Sequence, residues 1–245
     1  MAQAVAFITG GARRIGASIA KQLHQQGYNL VLHYNRSEDA AKQLAQALNA
    51  LRPDSVKILQ CDLNDTEQLA TLGQRVINCW ARLDLLVNNA SAFYPTPLQT
   101  CTDEQWDELI NSNLKAPFFL SKQLAESLKH SNGVIINLID IHAQRALTGY
   151  PIYSIAKAGL QMMTISLAKE LAPQVRVNGI APGPIMWPEQ DAALSEEDKQ
   201  EVIGKTLLKR SGRPEDIAQA VLFLSQQSFI TGQILAVDGG KSLYS

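Results

Sequence analysis

The chain alternates short, β-rich, mainly apolar runs with longer segments in which apolar residues recur every three to four positions. The apolar runs fall at 4–9, 29–34, 56–61, 85–88, 134–138, 176–180 and 234–237. They do not alternate polar with apolar, which is the pattern of strands covered on both faces. The helical periods cover 14–26, 38–51, 66–80, 103–129, 153–171 and 214–225. Thr102-Asp103-Glu104 and Arg213-Pro214-Glu215-Asp216 put acids, and in the second case a proline, into a first turn, and so predict helix starts. Strand and helix in strict alternation predict one α/β domain: a doubly wound parallel sheet of about seven strands, with right-handed crossovers and helices on both faces. Residues 182–212 break the rhythm with several prolines and glycines, Trp187 and a charged stretch. This predicts an irregular insertion within the domain that covers the substrate.

Composition narrows the class without naming a function. Of 245 residues, 46% are hydrophobic and 18% charged, enough for one sizeable core, and no low-complexity tract or linker divides the chain. A net charge of −1 offers no electrostatic reason to expect nucleic acid or an acidic membrane as partner. No apolar run reaches the roughly 18 residues needed to span a bilayer. The opening Met1-Ala2-Gln3-Ala4 lacks the charged region of a signal peptide. Cys61, Cys79 and Cys101 lie far apart with no CxxC pair, so reduced thiols in a cytoplasmic protein are expected and no metal site is.

Two groups of residues carry chemistry. The first strand ends in Thr9-Gly10-Gly11-Ala12-Arg13-Arg14-Ile15-Gly16 and runs directly into a helix. Glycines there permit a tight turn and let a pyrophosphate approach the helix N-terminus, the arrangement of a Rossmann-type fold. The second strand ends in His33-Tyr34-Asn35-Arg36-Ser37, where an NAD site would place an acid on the ribose 2′-hydroxyl. Arg36 and Ser37, with Arg13 nearby, instead suit a 2′-phosphate, which predicts NADPH; a solvated surface charge is the alternative for Arg36. Asp62 is placed to reach the adenine, and Asn88-Asn89-Ala90 lies at the carboxyl edge of the sheet, where such folds bind ligands.

The second group is Asp140, Tyr153 and Lys157. Tyr153 and Lys157 stand one helical turn apart on one face. A neighbouring ammonium lowers a phenol's pKa and a neighbouring carboxylate raises it, so Tyr153 is expected to be a proton donor tuned between the two. Asp140 could otherwise simply cap a turn.

Together these features resemble the short-chain dehydrogenase/reductase superfamily over nearly the whole chain, from the glycine turn to Val237-Asp238-Gly239-Gly240. The resemblance implies Tyr153 as proton donor, Lys157 on the nicotinamide ribose and lowering the tyrosine pKa, and Asn113 holding a water chain to that lysine. It also implies Ile15, Tyr34, Pro182, Gly183 and Ile185 among the cofactor contacts, and a homotetramer built through the long helices and the last strand. Three departures are more specific. Arg14 stands where the superfamily usually has glycine, Asn-Asn-Ala-Gly becomes Asn88-Asn89-Ala90-Ser91 followed by Ala92-Phe93-Tyr94-Pro95-Thr96-Pro97, and the usual serine is Asp140. All three coincide with the pteridine reductase branch, as does His33-Tyr34-x-Arg36-Ser37, and Gly183-Pro184-Ile185-Met186-Trp187-Pro188-Glu189 is more similar to its bacterial members. The branch implies NADPH-dependent reduction of an oxidised pterin or dihydropterin, with dihydrofolate a further substrate.

On that reading Phe93 stacks on the pterin ring. Arg14 serves both the cofactor phosphates and a pterin oxygen or nitrogen. Ser91 bonds the pterin edge, Asp140 and Tyr153 provide the proton, and Trp187 closes over the substrate. Phe93 as a core aromatic, Ser91 as a loop cap and Trp187 as a subunit contact remain alternatives, and His142 is expected to play a loop or supporting role. Dihydromonapterin reductase with weak dihydrofolate reductase activity is a near neighbour of this reading. A 3-oxoacyl-carrier-protein reductase or other carbonyl reductase is the more distant one, and would want serine at 140 and glycine at 91. The chain ends Lys241-Ser242-Leu243-Tyr244-Ser245, without the terminal basic residue that protozoan members extend toward a neighbouring active site, so that contact is not expected.

Overall fold

The computed structural model describes residues 3–187 and 195–243. Pro188 and Glu189 of the substrate segment, and the terminal Tyr244 and Ser245, lie outside the described residues.

All seven apolar runs become strands: β1 (Val5–Ile8), β2 (Asn29–Tyr34), β3 (Val56–Gln60), β4 (Leu85–Asn88), β5 (Val134–Leu138), β6 (Arg176–Pro182) and β7 (Ile234–Val237). They form one sheet in the order β3-β2-β1-β4-β5-β6-β7, parallel at every pairing. Parallel strands need crossovers, and these are the helices α1 (Arg14–Gln25), α2 (Glu38–Leu51), α3 (Thr66–Trp80), α4 (Asp103–Ile110), α5 (Ala116–Ser131), α6 (Pro151–Glu170), α7 (Glu196–Gly204) and α8 (Pro214–Gln226).

The period-2 pleat explains why the inner strands read as apolar runs without polar alternation. In β1, Ala6 and Ile8 face one core with Ile19 and Leu23 of α1, Leu44 of α2 and Ile217 of α8. Val5 and Phe7 face the other, with Leu72 and Val76 of α3 and Leu120 and Leu124 of α5. Each face buries its own set, so neither tolerates polar alternation. The chain winds from β1 outward to β3, then returns to β4 beside β1. The carboxyl ends of β1 and β4 therefore form the crevice where a doubly wound sheet holds ligands.

Two expected elements change. The helix expected over 103–129 is interrupted by a π-helical turn at Asn111–Lys115, between α4 and α5. Hydrophobic periodicity passes through such a turn almost unaltered, because it inserts one residue without reversing the chain. The insertion at 182–212 is not irregular throughout: β6 extends to Pro182, and α7 lies inside the insertion. Ser195 caps α7 by accepting from the Asp198 N–H at 3.1 Å, and Glu196, Glu197 and Asp198 fill its first turn. That helix carries few apolar residues and none that is buried, so periodicity had nothing to register.

Candidate active site

The turn after β1 is held by contacts on every side. Gly10 has φ +61°, and a Cβ there would lie 3.1 Å from Ala90 Cα. A Cβ on Gly16 would collide with the Gly10 carbonyl oxygen. The Thr9 hydroxyl accepts from the Asn89 and Ala90 N–H groups at 2.9 and 3.0 Å, while the Asn89 amide donates to the Thr9 and Gly10 carbonyls at 2.9 and 3.1 Å. His33 accepts the Gly10 N–H at Nδ1, 3.1 Å away, and sits 2.9 Å from the Cys61 carbonyl at Nε2. Those partners assign the proton to Nε2. Burial, the dominant influence, brings the His33 pKa down to about 4, so the ring is the neutral form that this double role requires.

A groove continues from this turn past Arg13, Arg14, Ile15 and Gly16, then Tyr34, Arg36 and Ser37, then Asp62 and Asn64, to Asn89, Ala90 and Ser91. Arg36 is exposed at the end of β2. Asp62 accepts the Asn64 N–H at 3.0 Å, and Tyr34 packs its ring on Ala12 and Ala41. The sterically closed glycines and the cations at the far end fit a dinucleotide carrying a 2′-phosphate.

Position 14 has φ +52°, a left-handed conformation that glycine adopts freely and arginine only at roughly 1–2 kcal/mol. The side chain has a use that offsets this cost. The Arg14 guanidinium donates to the Trp187 carbonyl at 2.8 Å, joining the cofactor turn to the segment after β6. Arg14, Ile15, Asn89 and Ser91 line both the groove and a second cavity of about 600 Å³.

That cavity contains the acid group. Tyr153 Oη donates to Asp140 Oδ2 at 2.8 Å. Asp140 Oδ1 accepts the His142 N–H at 2.8 Å, so one carboxylate both caps the turn after β5 and faces the phenol. His142 Nδ1 lies 3.0 Å from the Arg145 carbonyl, in keeping with a loop role. Lys157 is buried and donates to the Leu138 carbonyl at 2.9 Å. Burial lowers its pKa to about 8, with the Asp140 charge opposing. Tyr153 is also buried, and its pKa stands well above the ordinary phenol value, first through burial and then through Asp140, with the Ser91 hydroxyl pulling the other way. The expected balance between lysine and aspartate is therefore not even. The lysine ammonium lies 5.6 Å from the tyrosine ring centroid and bonds a carbonyl, while the aspartate touches the hydroxyl.

Phe93 reaches the same cavity. Its ring stacks on Tyr150 with centroids 4.7 Å apart and meets Tyr153 edge-on at 4.8 Å. Ser91 Oγ donates to Asn113 Oδ1 at 2.7 Å and lies 3.3 Å from the Ala92 carbonyl, so it secures its own loop. The π-helical turn places Asn113, whose amide donates to the Ala92 and Leu109 carbonyls at 3.0 Å each. These bonds tie the loop after β4 to α4; none runs from Asn113 to Lys157. Pro182, Gly183, Ile185 and Trp187 line the wall after β6. Tyr150, Leu147, Met186, Val202 and Lys241 also line the cavity and were not anticipated. Tyr150 had a signal, standing three residues before Tyr153 at the same helix end. Lys241, a hundred residues from Asp140 in sequence, had none.

A family model described as enoyl-(acyl carrier protein) reductase matches residues 10–242. The chain belongs to the short-chain dehydrogenase/reductase family. It is an oxidoreductase of that family. Pteridine reductase 1 of Leishmania tarentolae is 37% identical, the match covering 98% of this chain and 96% of that protein. The 3-oxoacyl-[acyl-carrier-protein] reductase FabG of Staphylococcus aureus is 36% identical, with 96% of each covered. Among solved structures, FolM alternative dihydrofolate reductase 1 from Brucella canis, complexed with NADP, superposes with a TM-score of 0.88 at 31% identity, covering 98% of this chain and 94% of that one. Similarity of this degree to both a pteridine reductase and a 3-oxoacyl-carrier-protein reductase fixes the family and leaves the substrate to the site.

Proposed function

We propose that this short-chain reductase is an NADPH-dependent pteridine reductase, acting on a C=N bond of an oxidised pterin or dihydropterin, dihydrofolate included. The observation that carries the reading is the 2.8 Å bond from Tyr153 Oη to Asp140 Oδ2 beside the Phe93 ring. Reduction of C=N needs hydride on carbon and a proton on nitrogen. NADPH supplies the hydride. Arg36, Ser37 and Arg13 would hold its 2′-phosphate, and the Gly10–Gly16 turn its pyrophosphate.

The chain's own residues handle the proton. Burial and Asp140 keep Tyr153 in the phenol form, so a proton is stored between Tyr153 Oη and Asp140 Oδ2 rather than released to solvent. Phe93, stacked on Tyr150, offers an aromatic wall to a bicyclic ring, and Ile185, Met186 and Trp187 add apolar surface to the lining. A ketone reductase would instead need a hydroxyl donor for a developing oxyanion, and a carboxylate at 140 is a poor neighbour for that charge. Dihydromonapterin reduction would use the same residues and differs only in the ring substituent. The exposed Phe118, Phe119, Ile155 and Met162 on α5 and α6 support assembly as a homotetramer through these helices. The three free cysteines support a cytoplasmic setting. No helix among the described residues is long and apolar enough to cross a membrane.

The test is NADPH oxidation with dihydrobiopterin, dihydromonapterin, dihydrofolate and acetoacetyl-CoA in parallel. Turnover of pterins with a silent thioester is expected. The reverse pattern would make the chain a carbonyl reductase like its 3-oxoacyl-reducing relatives.

A further inference from the structure

The substrate cavity is unlike at its two sides. Along the sheet, the strands that deliver its walls are β4, with Ser91 and Phe93 just beyond it, then β5 with Asp140, β6 with Pro182 to Ile185, and β7 with Lys241. Strands lie about 4.8 Å apart, so the end of β7 is roughly 10 Å across the sheet from the end of β5 and roughly 14 Å from the end of β4. One side is aromatic and fits a flat ring. The other presents an ammonium group.

Lys241 is held there deliberately. Asp238 Oδ1 accepts the Gly240 N–H at 2.9 Å and Oδ2 the Ser242 N–H at 2.7 Å, clamping the backbone on both sides of the lysine. Burial works against ionisation of Asp238, yet the donors at Ser242 and Gly240 prevail and keep it a carboxylate. Gly240, at φ +78°, fits against Leu207, where a Cβ would lie 2.7 Å from Cδ1. The lysine itself is half-buried. No described residue forms an ion pair or hydrogen bond with its ammonium. Burial lowers the Lys241 pKa, while Asp140, on the same cavity, and Asp238 attract its charge through space and Lys205 repels it. A clamped, partly desolvated cation that faces a ligand cavity without a protein partner is a recognition group for an anion.

We propose that Lys241 is a specificity residue that binds a carboxylate on the substrate's ring substituent, so that the cavity prefers pterins with an anionic tail over those with a neutral one. The inference rests on the pteridine reductase reading. A ring seated against Phe93, with its reacting nitrogen at Tyr153, leaves the substituent to extend toward β7. With the reacting nitrogen at Tyr153 and β7 two strands from β5, the Lys241 ammonium would meet the substituent rather than the reacting bond, so the effect belongs in substrate binding rather than in the chemical step.

The test compares dihydrofolate, which carries carboxylates, with dihydrobiopterin, which does not, in wild type, Lys241→Met and Lys241→Arg at saturating NADPH. Lys241→Met should raise KM for dihydrofolate about tenfold, equivalent to about 1.4 kcal/mol, with a much smaller change for dihydrobiopterin, and Lys241→Arg should restore most of the discrimination. Added salt should weaken dihydrofolate binding in wild type and not in Lys241→Met. Equal losses for both substrates, or a fall confined to kcat, would overturn the assignment and leave Lys241 acting through Asp140 or the fold. If wild type reduces neither pterin, the pteridine reductase reading falls and this inference falls with it. If wild type reduces both and Lys241→Met does not discriminate between them, only this inference falls.

Discussion

The cofactor groove and the substrate cavity share Arg14, Ile15, Asn89 and Ser91 yet are built on different principles. The groove is made mainly of backbone and short polar side chains bonded to one another: Thr9, Asn89, Gly10 and His33 form a closed set of hydrogen bonds around one turn. The cavity is made of side chains from four strand ends and the insertion, and its polar groups point inward at Tyr153, Asp140 and Lys241. A groove that satisfies itself is rigid and fits one invariant ligand. A cavity walled by divergent segments can change its substrate one side chain at a time. This is consistent with a chain about equally similar to a pteridine reductase and to a 3-oxoacyl-carrier-protein reductase.

The comparison predicts that cavity substitutions alter turnover and groove substitutions alter cofactor choice or stability. The largest effect is expected for Tyr153→Phe. It removes the stored proton and should lower kcat by about 10²–10⁴-fold, with NADPH affinity by fluorescence titration nearly unchanged. Equal loss of both would erase the distinction between the two regions. Asp140→Ser comes next, with a fall of about 10²-fold in pterin turnover and a smaller change in NADPH binding. An unchanged rate would leave Asp140 only its cap on the His142 N–H. Arg36→Leu should reduce the preference for NADPH over NADH about tenfold, the worth of one charge-assisted bond, leaving kcat with saturating NADPH little altered.

The smallest effect on turnover is expected at His33, where stability is the readout. His33→Leu strands the Gly10 N–H and the Cys61 carbonyl, at about 1–3 kcal/mol, visible as a lower Tm. The native ring also sets a pH window. Its folded pKa of about 4 lies below the ordinary 6.5, so between these values the unfolded chain binds more protons than the folded one. Stability should therefore decline as pH falls from about 6.5 toward 4 through this group, and the decline should be shallower in His33→Leu. Identical pH dependence in the two proteins would show that the turn does not rely on a neutral imidazole.

Local rules carried much of the structure into the sequence. The inner strands β1, β4 and β5 were legible because burial on both faces leaves no room for polar alternation, and α2 and α3 matched their periodicity from end to end. The glycine turn and the absence of an acid after β2 were legible because a phosphate and a 2′ substituent place steric and charge demands on adjacent residues. Tyr153 and Lys157 were legible because a helix fixes what stands one turn away.

What tertiary structure alone decided depends on contacts between remote segments. The π-helical turn that seats Asn113 leaves no mark on hydrophobic periodicity. α7 has no buried residue to reveal it. The left-handed backbone at Arg14 and its bond to Trp187, 173 positions away, arise only when the β1 turn meets the wall after β6. Tyr153 lies nearer to its aspartate than to its lysine in effect, because the fold gives the ammonium a carbonyl and the phenol a carboxylate. Lys241 entered the substrate cavity by the same route: a sheet that places β7 two strands from β5 brings the end of the chain to the site, and spacing along the sequence does not record distance across a sheet.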